Sequence, residues 1–131
     1  MPFNYVIYNE QRLVVSTGLG RVTFAEVEKR INEGLADPDF DPSFNEIVDL
    51  RPVTVVDMSG SETRTLANTK VFSSNSKIAL VASSPSVFGM GRLFATYSEM
   101  SKGASQIRVF YDLPSALKWL GIEKGPELIR P

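Results

Sequence analysis

Val55 to Thr63 reads VVDMSGSET: an apolar run, an acid, then small polar residues. Two chemistries suit Ser59 in that setting. With Glu62 three residues on, it makes the Ser-x-x-Glu pattern of a capping box, where the hydroxyl accepts from a free backbone N–H at a helix start. The same helix start offers unsatisfied N–H groups and partial positive charge to a phosphate carried on that hydroxyl. Charge separates the two readings. A phosphate brings about −1.5 to −2 charges; Asp57 and Glu62 would repel it, and only Arg51 and Arg64 stand nearby as counterions. The balance favours the cap. Ser59, Asp57 and Gly60 form the first candidate site, as helix cap or phosphoacceptor.

The second is Phe88-Gly89-Met90-Gly91-Arg92, inside an otherwise helical pattern. Two interior glycines together cost about 2 kcal/mol relative to alanine, so something offsets them. Close approach of the helix to a sheet or a second helix is the favoured account. The functional account is a groove over Gly89 and Gly91, held near Phe88 with Arg92 at its mouth, suited to an acidic or lipid-like ligand. It is not a dinucleotide fingerprint, because the third glycine is missing and the motif lies within the helix rather than before it.

Other chemistry is scarce. The chain has no cysteine and no histidine, which removes thiolate chemistry, disulfides, the usual general base and the commonest transition-metal ligand. Asp49 and Asp57 are the one carboxylate pair worth testing for acid–base work. Asp37, Asp39 and Asp41 alternate through DPDFDP as calcium ligands do, but the glycine and closing glutamate of an EF-hand are absent. Pro38 and Pro42 fit a rigid turn better. No catalytic residue, metal or cofactor is expected.

The elements that position these residues follow from pattern. At 131 residues and 43% apolar the chain suits one globular domain. Its net charge of −1 supplies no footprint for nucleic acid. No stretch has the length of a membrane span and the N-terminus lacks a secretory pattern, so a cytoplasmic location is expected. FNYVIY and RLVVSTGL read as a hairpin of two strands. VTFAEVEKRINEGL follows as a helix, with Thr23 and Glu26 as capping box, Val22 and Val27 as hydrophobic staple, and Phe24, Val27, Ile31 and Leu35 as its buried stripe. NEIVDL is a strand, and SETRTLANTKVF a weakly amphipathic helix with Leu66 and Val71 inward. SKIALVAS is a strand buried on both faces. SPSVFGMGRLFATYSEM is a helix capped by Ser84 with Pro85 at its first position and Val87, Met90, Phe94 and Tyr97 on one side. QIRVFYD is the last strand, and DLPSALKWLG a short helix capped by Asp112 and stopped by Gly121.

The order β-β-α-β-α-β-α-β-α predicts an α/β domain over residues 1–121, with a mixed, mostly parallel sheet whose first strand is added antiparallel. Residues 122–131 read as a loose tail.

With IVDLRPVTVVDMSG at its centre, this order resembles the STAS domain, the SpoIIAA-like fold of bacterial anti-sigma-factor antagonists. Asp49-Leu50, then Val53 to Val56, then Asp57-Met58-Ser59-Gly60 match that family's strand and its Asp-Ser-Ser-Gly signature, except at Met58. GRVTFAEV, LADPDFDPSFNEIVDL, VFGMGRLFATY and IRVFYDLPSALKWLG resemble a STAS/SEC14-like branch of the same fold. In regulatory members the serine before the glycine is phosphorylated by a partner kinase, and the matching residue is Ser59. The resemblance implies a non-catalytic regulatory domain acting through protein contacts, with a regulatory protein or kinase, or a second copy of the chain, as partner. The alternative is a carrier or sensor of a small apolar or anionic, lipid-like ligand. A large apolar cavity would favour the carrier, and a flat exposed apolar face the interaction module.

Overall fold

Eleven elements are seen in the computed structural model, which describes residues 3–122. In chain order they are β1 (Phe3–Tyr8), β2 (Leu13–Gly18), β3 (Gly20–Thr23), α1 (Phe24–Ala36), β4 (Asn45–Asp49), β5 (Val53–Asp57), α2 (Gly60–Ala67), β6 (Lys77–Val81), α3 (Pro85–Glu99), β7 (Gln106–Phe110) and α4 (Leu113–Leu120). The main sheet runs β1-β2-β4-β6-β7. β1 pairs antiparallel with β2, as the hairpin predicts, and all later neighbours are parallel. The expected mixed α/β architecture is the one found. Of the expected tail, only Ile122 lies among the described residues, where it packs beside the core under α4.

Two short strands depart from the expected order. The run RLVVSTGL forms β2, which ends at Gly18; Gly20 then takes φ +68°, and Gly20–Thr23 form an additional strand, β3, that leaves the main sheet and pairs in parallel with β5 as a separate two-stranded sheet. A left-handed φ costs glycine little and other residues more, so the chain turns there. At Gly18 a side chain would lie 2.9 Å from Val53 Cγ2, which explains why the bend passes so near β5. The VTVV segment thereby becomes a strand.

Two helices also differ in detail. α2 stops at Ala67, where the Asn68 N–H bonds to the carbonyls of Arg64 and Leu66. Val71 and Phe72 then approach the interior from a loop, not from a helix face. In α1 the inward side carries Val27, Ile31 and Gly34, and Leu35 is 49% exposed. Successive residues differ by about 100° round a helix, and the inward place belongs to Gly34 because the Arg30 side chain lies across it.

Strand alternation divides the main sheet into two unlike faces. Leu13, Val15, Ile47, Ala79 and Val81 pack against Leu113, Ala116 and Leu117 of α4. This face is closely packed. The opposite face presents Ser16, Glu46, Val48, Ile78, Leu80 and Ile107 beneath α1, α2 and α3. Gly91 lets α3 approach it: a Cβ there would sit 3.1 Å from Val109 Cγ2 and 3.5 Å from Leu80 Cδ1. Gly89, on the far side of α3, is exposed with open space around it.

The two glycines therefore answer differently to substitution. Gly89→Ala gains helix propensity and meets nothing, so stability rises by about 0.5–1 kcal/mol. Gly91→Leu forces α3 off β7 and lowers stability by about 1–3 kcal/mol. Urea unfolding of both variants checks the pair.

Candidate functional site

The helices above the second sheet face do not fill the space they enclose. A cavity of ≈ 210 Å³ runs between that face and α1, α2 and α3. Val48, Leu80, Met90 and Phe94 are among its apolar walls, and Val71 and Phe72 reach it from the loop after α2. At the other end of the strands, Val22, Val53 and Val87 lie in a second apolar cluster packed by Val27, Leu50 and Val56. Most of the wall offers a ligand only van der Waals contact.

One part of the wall is different. Glu46 of β4 points into the cavity face and is 8% exposed. Ser16 Oγ donates to Glu46 Oε2 at 2.5 Å, and Arg30 Nη2 donates to the same oxygen at 3.1 Å. Arg30 Nε and Nη2 also donate to Ser16 Oγ, at 3.1 and 2.7 Å. The guanidinium carbon lies 4.1 Å from the centroid of the Tyr5 ring, a cation–π contact. Tyr5 in turn donates its hydroxyl to Asp37 Oδ2 at 2.8 Å.

Local sequence explains how Arg30 gets there. Residues four apart share a helix face, and at Gly34 a Cβ would fall 2.5 Å from Arg30 Nη1. Glycine leaves the groove through which the guanidinium folds back to the sheet. Burial pushes the Glu46 carboxyl above the usual range, with Arg30 pulling it down again. The Tyr5 hydroxyl is raised, first by its bond to Asp37 and then by burial.

Ser16, Arg30 and Glu46 were not among the sequence candidates. The signal was present in NEIVDL: an acid at an inner position of a strand covered on both faces requires a partner. Which basic residue supplies it is a matter of tertiary packing.

The sequence candidates are placed as follows. Ser59 caps α2, its hydroxyl accepting from the Glu62 N–H at 3.1 Å while the Ser59 N–H donates to Glu62 Oε1 at 2.9 Å. Gly60 opens the helix, and Asp57 at the end of β5 is paired with Arg21. Arg51 donates twice to Asp49, at 2.9 and 2.8 Å, and Arg64 lies over the Tyr97 ring. Asp49 and Asp57 thus each have an arginine of their own, Asp49 buried and Asp57 exposed. Of the five residues Phe88 to Arg92, Met90 and Gly91 line the cavity, Gly89 and Arg92 face solvent, and Phe88 stacks on Tyr111 at 3.8 Å. In the acidic loop Asp37 accepts from the Asp39 N–H and Asp41 from the Ser43 N–H, both at 2.9 Å, which are turn contacts. Among the described residues no three His, Cys, Asp or Glu side chains gather in a way that could hold a metal ion.

No family model matches the chain, and no curated protein matches it in sequence. A solved structure does match: an uncharacterised protein of the DUF3478 family from Shewanella loihica PV-4, with a SpoIIAA-like fold. The superposition has a TM-score of 0.57 at 15% identity and covers 90% of this chain and 93% of that one. The fold is SpoIIAA-like. Within this STAS-type architecture Ser59 stands at the start of the helix that follows β5, and the polar cluster of Ser16, Arg30 and Glu46 lies beneath α1.

Two stability measurements separate structure from chemistry here. Ser59→Ala removes the cap and lowers stability by about 0.5–2 kcal/mol, whereas Ser59→Asp caps as well and is nearly neutral. Thermal unfolding of the two variants reads this directly. Arg30→Met leaves Glu46 buried without its partner and costs about 3–5 kcal/mol, while Arg30→Met combined with Glu46→Leu removes both charges and restores most of that loss. A double-mutant cycle in urea shows whether the pair acts as one unit.

Proposed function

We propose that this SpoIIAA-like domain is a non-catalytic binding domain, a carrier or sensor, whose ligand is a small apolar molecule held between the sheet and α1, α2 and α3. The cavity carries this reading. An apolar cavity of about 150 Å³ stays dry and binds benzene; this one is ≈ 210 Å³ and is walled mainly by Val, Leu, Ile, Met and Phe side chains. A substituted ring or a short acyl chain suits that volume better than a full-length lipid. The roof supports entry, because α2 has only eight residues and continues into the loop that carries Val71 and Phe72. The non-catalytic part of the reading draws on the separate pairing of Asp49 with Arg51 and of Asp57 with Arg21.

Regulation through protein contacts around Ser59 is the second reading, and the likeness to SpoIIAA-like proteins is what favours it. The two are compatible where ligand binding changes what α2 presents. No helix among the described residues is long and apolar enough to cross a membrane.

Titration with p-xylene, followed by methyl NMR, tests the cavity reading. Ile78, Leu80 and Met90 shift saturably while the Leu117 methyls under α4 stay still. Val48→Phe, which fills the cavity with a residue suited to a strand, keeps or raises stability and abolishes the shifts. Shifts spread evenly over both faces, or none at all, would sink the proposal.

A further inference from the structure

The cavity wall is not uniformly apolar, yet its two buried charges cancel, and this narrows the ligand beyond the reading just given, on which the inference rests. Both hydrogen bonds to Glu46 from within the domain, from Ser16 Oγ and Arg30 Nη2, converge on Oε2. Among the described residues none donates to Oε1. Yet no fully buried side-chain oxygen or nitrogen among them lacks a partner, so Oε1 keeps some accessible surface, and the residue that carries it lines the cavity. A carboxylate has about four lone-pair sites, and those of Oε1 are unused.

Charge decides what can meet that oxygen. Arg30 and Glu46 are one positive and one negative group, paired and each with little exposed side chain, 12% and 11%. An anionic headgroup would add an uncompensated charge to a buried, already neutral pair, and would face a bare acceptor. A cation would also leave the site charged. Lys70, the other charged side chain of the wall, is exposed and an ammonium in water attracts an anion weakly. A neutral donor has neither problem. Its O–H or N–H supplies the bond that a water would otherwise make at Oε1, which a methyl group cannot do.

We propose that the cavity recognises a small neutral molecule carrying one hydroxyl, or an equivalent N–H donor, which bonds to Glu46 Oε1 while its apolar body lies against Val48, Leu80 and Phe94. Arg30 acts as a positioning residue. It holds Oε2 so that Oε1 faces the ligand, and Gly34 gives it room to do so. The phenol and short-alcohol class fits this description, and carboxylic and phosphate-bearing lipids do not.

Four probes built on one para-substituted toluene ring test it: p-xylene, p-cresol, 4-methylbenzoate and 4-methylbenzylammonium, each measured by calorimetry on the wild-type domain. A hydrogen bond to a charged group makes p-cresol bind about tenfold more tightly than p-xylene, and both ions bind more weakly than p-xylene. In Glu46→Gln the amide oxygen is drawn to Arg30 and its nitrogen takes the place of Oε1. The donor preference then falls to about threefold or less, because a phenol oxygen is a weaker acceptor than its O–H is a donor to carboxylate. Binding of p-xylene equal to or tighter than p-cresol would leave the apolar cavity reading standing and overturn the hydroxyl assignment. Tightest binding by 4-methylbenzoate or by the ammonium would overturn it in favour of an ionic ligand. If no probe binds, both this assignment and the cavity reading fail together.

Discussion

A carboxylate on the inner face of a sheet is the constraint around which this side of the molecule is organised. Glu46 lies between the neighbouring strands β2 and β6, 8% exposed, where an unpaired charge would cost several kcal/mol. Its partner cannot come from the strands, whose inward residues here are Val14, Ser16, Val48, Ile78 and Leu80. Arg30 comes from α1 instead, and that brings α1 across β1 and β2 with Tyr5 against the guanidinium. The consequences continue outward. Gly34 has to be small, Leu35 is turned to solvent, and Asp37 at the helix end accepts from Tyr5. One buried charge thereby sets the orientation of a helix.

The same arrangement helps to leave the cavity. α1 is held over the sheet by Arg30, which pairs with Glu46 of β4, bonds to Ser16 of β2 and lies on Tyr5 of β1, while α3 is drawn down on β7 at Gly91. Between them stands α2, a helix of eight residues with Leu66 and Ala67 inward. Closing the gap would require larger side chains on α2 or at Val48, and the chain has none there. Interiors normally pack to crystal-like density, so unfilled apolar volume against a polar cluster is a departure, and it is the one on which the proposed binding role rests. The α4 face of the sheet shows no such departure. Its side chains interlock, with Ile47, Ala79 and Val81 fully buried.

Ser59 illustrates how one motif can satisfy two descriptions. As physics, the Ser59–Glu62 box and the neighbouring Asp57–Arg21 pair complete the start of α2 without any further group. As likeness, Ser59 is the position that the resemblance to SpoIIAA-like regulators would make a phosphoacceptor. The arginines that would meet a phosphate are engaged elsewhere, Arg51 bidentate on Asp49 and Arg64 over Tyr97. Structural capping therefore explains the residues that are present.

Local rules made much of this fold legible from the chain itself. The helix starts at Thr23, Ser59, Ser84 and Asp112, the stop at Gly121, the antiparallel first hairpin and the buried KIALV strand all depend on neighbours within a few residues. Caps, turns and alternation act over that range, and so a sequence displays them. The separation of β3 from β2 was less visible, because it rests on Gly18 meeting Val53 thirty-five positions away. Of the polar cluster, only the need of Glu46 for a partner could be read in NEIVDL; the group itself could not. Ser16, Arg30 and Glu46 are 14 to 30 residues apart, and each has an ordinary reading alone: a strand serine, an exposed helix arginine, an edge glutamate. Only the stacking of α1 on the sheet makes them one group, since a charge selects its partner by distance through space and not by spacing along the chain. The cavity has the same origin. Most of its wall is made of apolar side chains that are unremarkable in the sequence, and the empty volume exists only because three helices, each held by a different contact, leave space between themselves and the sheet.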